Sequence, residues 1–197
     1  MKRIAVLVSG GGTNLQALLN TAARGEIPHG EIALVVSSNP NAYALARAQS
    51  AGVPTVVLAR KSYAGAGAFD TALAATLQNA EIDLVVLAGF LCIVGPAVLA
   101  AFPGRIVNVH PSLIPSFCGN GFYGLAVHRA ALARGVKITG ATVHLVNEVT
   151  DGGPILLQKA VPVYPADTPE LLQQRVMEEA EWVLLPKAVE MLCCGQK

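Results

Sequence analysis

Apolar residues along this chain fall into two alternating kinds of run. Short blocks rich in β-branched residues occupy Arg3–Val8, Glu31–Val36, Thr55–Leu58, Asp83–Ala88 and Arg105–Val109. Continuous runs of this length predict strands buried on both faces. Between them lie segments with apolar positions three and four apart. Thr13–Arg24 carries Leu15, Leu18 and Leu19 on one face, Ala42–Ala51 stops at Gly52, Ala68–Gln78 follows, and Pro96–Ala101 opens on a proline. These spacings predict helices. The alternation predicts an α/β fold: a doubly wound, mostly parallel sheet with right-handed crossovers and helices on both faces.

After Gly121 the pattern changes. Gly124–Arg134 reads as a helix, and Lys137–Val146 and Pro154–Val163 read as two longer strands around Asn147–Gly153. Two strands joined so closely predict an antiparallel edge. Thr168–Leu192 is the last predicted helix, with Thr168 as N-cap and Pro186 expected to kink or split it. No repeat, low-complexity stretch or linker interrupts the chain, so one domain is expected over residues 1–197.

Composition narrows the function classes. With 53% hydrophobic and 14% charged residues, the chain can bury a full core. Fourteen basic against thirteen acidic side chains, with no run of Lys or Arg, argue against a nucleic-acid partner. The uncharged stretch Leu84–Gly104 has the length of a membrane span. Gly89 and Gly95-Pro96 cut it into a strand and a short helix, so no membrane partner is expected. The apolar run Ile4–Val8 is too short for a signal peptide. Cys92, Cys118, Cys193 and Cys194 have neither zinc spacing nor a C-x-x-C motif, which favours a reduced, cytoplasmic protein.

Three segments carry candidate chemistry. Ser9-Gly10-Gly11-Gly12-Thr13-Asn14 joins a strand to a helix, where backbone N–H groups and the helix N-terminus favour an anion. It lacks the Gly-Lys-Ser/Thr of a Walker loop. As a dinucleotide fingerprint it fails at Leu15, and no acid ends the second strand to hold a ribose. A phosphate is the expected ligand. Asn108 and His110 stand two apart at a strand end, so they face the same side. A carboxamide and an imidazole together can stabilise an oxyanion and move a proton. Asp151-Gly152-Gly153 is a tight turn that can present a carboxylate, which would favour an imidazolium beside it. Taken alone, the glycine turn favours a phosphate over a plain turn, Asn108 and His110 fit a hydrogen-bonded loop corner equally well, and Asp151 fits an ordinary turn better. Of the other histidines, His29 is expected to be exposed, His128 to lie at a helix surface or on a loop contact, and His144 to be packed with its ring satisfied. No ligand spacing supports a metal.

Taken together, Ser9–Leu18 (SGGGTNLQAL), Leu87–Phe90 (LAGF), Asn108–Phe117 (NVHPSLIPSF) and Asp151–Gln158 (DGGPILLQ) resemble the phosphoribosylglycinamide formyltransferase family, from Ile4 to about Pro186. FCGNGFYGLAVH, from Phe117 to His128, resembles a bacterial form of it. The resemblance implies a Rossmann-like formyltransferase fold and transfer of a formyl group from 10-formyltetrahydrofolate to the amine of 5-phosphoribosyl-glycinamide. It implies no metal. Asn108, His110 and Asp151 match the catalytic trio. Gly12, Thr13 and Asn14 match the segment that holds the phosphoribosyl group. Leu91, Cys92, Ile93 and Val94, with Asn108 and the loop Asn147, Glu148, Val149, Thr150 and Asp151, match the folate site. Glu181 resembles an acid that contacts the glycinamide, in a helix that carries one extra residue here. An arginine that family members often carry in the folate loop is replaced by Cys92, and a further arginine, a folate contact in some members, is missing where this chain has Gly65-Ala66-Gly67-Ala68.

The resemblance leaves rivals. Formyltetrahydrofolate hydrolase shares the His-Pro-Ser element but usually has a domain ahead of the first strand. A methionyl-tRNA formyltransferase would carry a further C-terminal domain and a basic face. A sugar-nucleotide formyltransferase and a non-catalytic nucleotide- or folate-binding module complete the set. The expected partners are small molecules, with monomer and homodimer both open.

Overall fold

A computed structural model describes residues 1–195; Gln196 and Lys197, the end of the expected domain, lie outside the described residues. Five strands, β1 (Lys2–Val8), β2 (Gly30–Ser37), β3 (Thr55–Val57), β4 (Leu84–Leu87) and β5 (Ile106–His110), pair in parallel. They alternate with α1 (Thr13–Ala23), α2 (Ala44–Ser50), α3 (Ala66–Asn79) and α4 (Pro96–Ala101). Then come α5 (Leu125–Arg134), β6 (Ile138–Leu145), β7 (Ile155–Pro162), α6 (Pro169–Val176) and α7 (Trp182–Cys193). The sheet order is β3-β2-β1-β4-β5-β6-β7. Strand β6 pairs antiparallel with β5, and β7 pairs antiparallel with β6. The doubly wound sheet with an antiparallel edge is therefore observed, and β6 and β7 both belong to that edge.

The apolar blocks are strands because both faces need covering. In β1, Ile4, Val6 and Val8 face a core closed by α1, α6 and α7, while Ala5 and Leu7 face one closed by α3 and α4. The strand order reverses between β1 and β4. Open sheets of this kind leave a crevice beyond the strand ends at such a reversal.

The uncharged stretch with the length of a membrane span is β4, a loop and α4, and among the described residues no helix is long and apolar enough to cross a membrane. The last helix departs from expectation. Its break is a π turn at Met177–Glu181, where Trp182 N–H bonds back to the Met177 carbonyl; Pro186 lies buried inside an intact α7. A proline lacks the N–H for the fourth residue back and crowds its carbonyl. Here that carbonyl belongs to Trp182, at the very start of α7, just after the wide turn.

Asp70 in α3 fixes the loop before α4. Its two carboxylate oxygens accept from Gly95 N–H at 2.8 Å and Ala97 N–H at 2.7 Å, and a Cβ on Gly95 would lie 2.6 Å from that carboxylate. A buried carboxylate on the first turn of a helix satisfies donors that otherwise go unpaired. Asp70→Ala should therefore cost about 2–3 kcal/mol, the scale of stranded hydrogen bonds to a charged group. Urea unfolding measures it; a loss under roughly 0.5 kcal/mol, the range of a neutral surface change, would show that the loop holds without Asp70.

Candidate active site

The functional cluster begins with β-sheet register. Asn108 lies opposite His144 in the antiparallel β5–β6 pair, and its amide Nδ2 lies 3.1 Å from His144 Nε2. His144 Nδ1 donates to the Leu145 carbonyl at 2.9 Å. His110 follows Asn108 by two residues, so both project from one face.

The β6–β7 loop then delivers Asp151. Its backbone is left-handed (φ 55), and the next two residues need to be glycine. A Cβ on Gly152 would lie 2.5 Å from the Val149 side chain, and one on Gly153 would lie 1.8 Å from the Leu145 carbonyl oxygen. Asp151 Oδ2 sits 3.5 Å from His110 Nδ1 and accepts from Gly119 N–H at 2.8 Å; Oδ1 sits 3.6 Å from His144 Nε2. Burial would raise the Asp151 pKa, but His144, the Gly119 N–H and His110 together hold it below the usual carboxylate value. His110 Nε2 donates to the Phe117 carbonyl at 2.9 Å. The ring of His110 thus lies between a carbonyl on one nitrogen and a carboxylate facing the other.

A cavity of about 470 Å³ opens onto this cluster, within the size range of small-molecule sites. Asn108, His110 and Asp151 line it, as do Leu91, Cys92, Ile93 and Val94 and the loop from Asn147 through Glu148, Val149 and Thr150. Leu91, Ile93 and Val149 are exposed at 66%, 75% and 63%, so apolar side chains stand free along its walls. Thr13, Asn14 and Glu181 also line it; Gly12 does not, and instead starts α1. Gly12 has φ 74, and a Cβ there would lie 2.6 Å from that of Ala44, so only glycine fits. Ser9 Oγ accepts from Leu91 N–H at 2.9 Å, which ties the glycine turn to the apolar wall.

Asn14 and Glu181 form the second polar group in the cavity. Asn14 Nδ2 donates to Glu181 Oε2 at 2.7 Å, and Asn14 Oδ1 is buried without a partner. Burial pushes the Glu181 carboxyl up to about 7, against the smaller opposing effect of Asn14.

Sequence reasoning missed His144, which belongs to the cluster rather than serving only as packing, and Gln173 and Met177, which line the cavity. His128 is a correction. It is fully buried on the inner face of α5 with neither ring nitrogen hydrogen-bonded, and burial, with repulsion from His110, pushes it down to about 4. Its neighbour Val127 and its i+3 partner Ala131 are buried as well, so that face of α5 points inward. His29 is exposed but paired with Glu190. Among the described residues, no three of His, Cys, Asp and Glu are grouped to hold a metal.

Comparison with known proteins identifies the class. The formyl transferase family matches residues 2–189, and the chain belongs to that family. A phosphoribosylglycinamide formyltransferase of Haemophilus influenzae is 40% identical over 196 residues, which cover all of this chain and 89% of that protein. The trifunctional purine biosynthetic protein adenosine-3 of Homo sapiens is 40% identical over 98% of this chain, which spans 18% of its length. The crystal structure of glycinamide ribonucleotide transformylase 1 from Symbiobacterium toebii matches with a TM-score of 0.93 and 47% identity, over 99% of this chain and 89% of that one.

The Glu181 pKa sets a testable stability profile. Its folded-state pKa lies above the ordinary value of 4.5, so folding holds a proton that the unfolded chain releases. Stability from this residue is full below about pH 4.5, declines as pH rises, and is lost above about pH 7. Glu181→Gln should remove the decline, so that wild type loses ground to the variant between about pH 5 and 8 in urea unfolding. Parallel profiles would show that Glu181 is already ionised in the folded protein.

Proposed function

We propose that this chain transfers the formyl group of 10-formyltetrahydrofolate to the amine of 5-phosphoribosyl-glycinamide, acting in the cytoplasm as one formyltransferase domain. The reading is carried by one observation: a single cavity shares its walls between the Asn108–His110–Asp151 cluster and the Asn14–Glu181 pair. A one-carbon transfer between two bound molecules needs that proximity.

In this reading the apolar side chains of Leu91, Ile93 and Val149 and the backbone of residues 147–151 hold the flat ring of the donor. Thr13 and Asn14 hold the phosphoribosyl group beside the start of α1, and Glu181 accepts a hydrogen from the glycinamide. The amine attacks the formyl carbon, and negative charge gathers on the formyl oxygen. Two groups meet it. The Asn108 amide nitrogen has a second hydrogen beyond the one nearest His144, and His110 can donate from its imidazolium. Asp151 keeps that charge in place, because it remains ionised well below neutral pH. Burial strengthens each of these interactions relative to water. A proton from the attacking amine can leave through the Asp151–His110 pair to the departing nitrogen, so no covalent enzyme intermediate is needed.

Single-turnover formyl transfer tests the reading. Asn108→Ala should slow the chemical step by roughly 10²- to 10³-fold, the scale of one lost oxyanion donor. His110→Ala should lose most of the rate while donor and acceptor still bind. Asp151→Asn should slow the step and displace the pH–rate profile. Release of tetrahydrofolate at full rate without the amine would identify a hydrolase instead. Binding without transfer in the wild type would identify a sensor.

A further inference from the structure

A peptide's C=O and the following N–H point in opposite directions across a trans bond. The partners of a loop's carbonyls therefore decide where its N–H groups aim. In the glycine turn all three carbonyls are engaged. Gly10 O accepts from Ala44 N–H at 3.1 Å, Gly11 O from Arg47 Nε at 2.8 Å, and Gly12 O from Gln16 N–H at 2.9 Å. The N–H groups of Gly11, Gly12 and Thr13 are thereby turned the other way, and none of them donates to a backbone acceptor among the described residues. Successive N–H groups turned to one side make a nest for an anion.

Two of the three anchors are backbone groups that no side-chain substitution removes. The third is Arg47, which is half-buried and itself held in place. Its Nη1 donates to Gln16 Oε1 at 3.0 Å, and its guanidinium lies 5.0 Å from the centre of the Tyr43 ring. A second observation marks the same region as a ligand site. Asn14, only 8% exposed and on the cavity wall, keeps a buried carboxamide oxygen with no partner, an acceptor suited to a sugar hydroxyl. On the facing π turn the neighbour of Thr13 Oγ1 is the Met177 sulfur at 3.8 Å, which brings no positive charge. Arg47 supplies one from behind the turn.

We propose that Arg47 is a positioning residue for the acceptor's phosphate: by holding the Gly11 carbonyl from α2, it aims the Gly12 N–H at the anion. The inference rests on the reading of this cavity as a phosphoribosylglycinamide site. Arg47 touches neither the reacting atoms nor the donor, so its effect should depend on the phosphate.

Steady-state kinetics with phosphoribosylglycinamide and with its riboside, which lacks the phosphate, separate the possibilities. Arg47→Met should raise KM for the phosphorylated acceptor about tenfold, roughly the worth of one charge-assisted hydrogen bond, with a smaller change in kcat. KM for the riboside and for the formyl donor should stay near wild type. Arg47→Lys keeps a charge and a donor, and should recover much of the loss. Equal losses on both acceptors, a loss confined to kcat, or no change on either would overturn the proposal. If Arg47→Met does not fold, Arg47→Lys alone must still show a KM rise confined to the phosphorylated acceptor. If the wild type transfers no formyl group at all, the function proposed above fails. Calorimetric binding of ribose 5-phosphate to wild type and variants then decides Arg47 separately, since affinity should fall only if Arg47 shapes the anion site.

Discussion

A carboxylate held between two imidazoles is the contact on which the site depends. Asp151 has 9% of its side chain exposed, and the His110 and His144 side chains have 5% and 2%. An isolated charge so deeply buried would protonate or draw in water. Here the two rings and the Gly119 N–H oppose the burial, and the net result is a carboxyl held below its usual range. The same contacts fasten four pieces of chain together: the end of β5, strand β6, the β6–β7 turn and the segment after Phe117. The left-handed Asp151 and the two closely pressed glycines after it exist to bring one carboxylate to that point. A side chain on Gly153 would push the turn away from Leu145, and the contacts of Asp151 with the two rings would open with it.

How much of this could be read from the chain depends on the range of the interaction involved. The parallel half was legible because strands buried on both faces leave continuous apolar runs, and the helices between them leave three- and four-residue spacings. Asn108 and His110 were legible as a pair because alternation within one strand is local. Asp151 stood out by its glycines. His144 did not, because its role arises from the β5–β6 register, which sets it opposite Asn108. A histidine inside a strand gives the same local pattern whether it packs or acts. His128 failed for the opposite reason. A polar residue in a helix with mixed faces reads as surface, and only the packing of α5 shows that it points inward. Asp70 drew no notice either, since its partners are backbone groups 25 and 27 residues away.

The two polar groups of the cavity respond to burial in opposite ways. Asp151 has charged neighbours and is held ionised; Glu181 has only the amide of Asn14 and is pushed up to about 7. Environments that drive two carboxyls apart assign them different work. One is suited to keep a positive ring beside a developing negative oxygen. The other sits near the point where a small change, such as the arrival of an amine, decides whether it carries a charge.

The π turn explains how Glu181 comes to be the acid in that position. In an α-helix each added residue turns everything beyond it by about 100°. One residue inserted in a continuous helix would therefore rotate Leu184, Leu185, Ala188 and Val189 off the core they fill. A π turn takes an extra residue within a single wide turn and returns the helix to its former phase. Met177–Glu181 does this, and Leu172 and Val176 before it face the same core as Leu184 and Leu185 after it. The wide turn leaves Glu181 against Asn14 across the cavity wall. The helix therefore breaks at the wide turn where it meets the site, and Pro186 plays no part in the break.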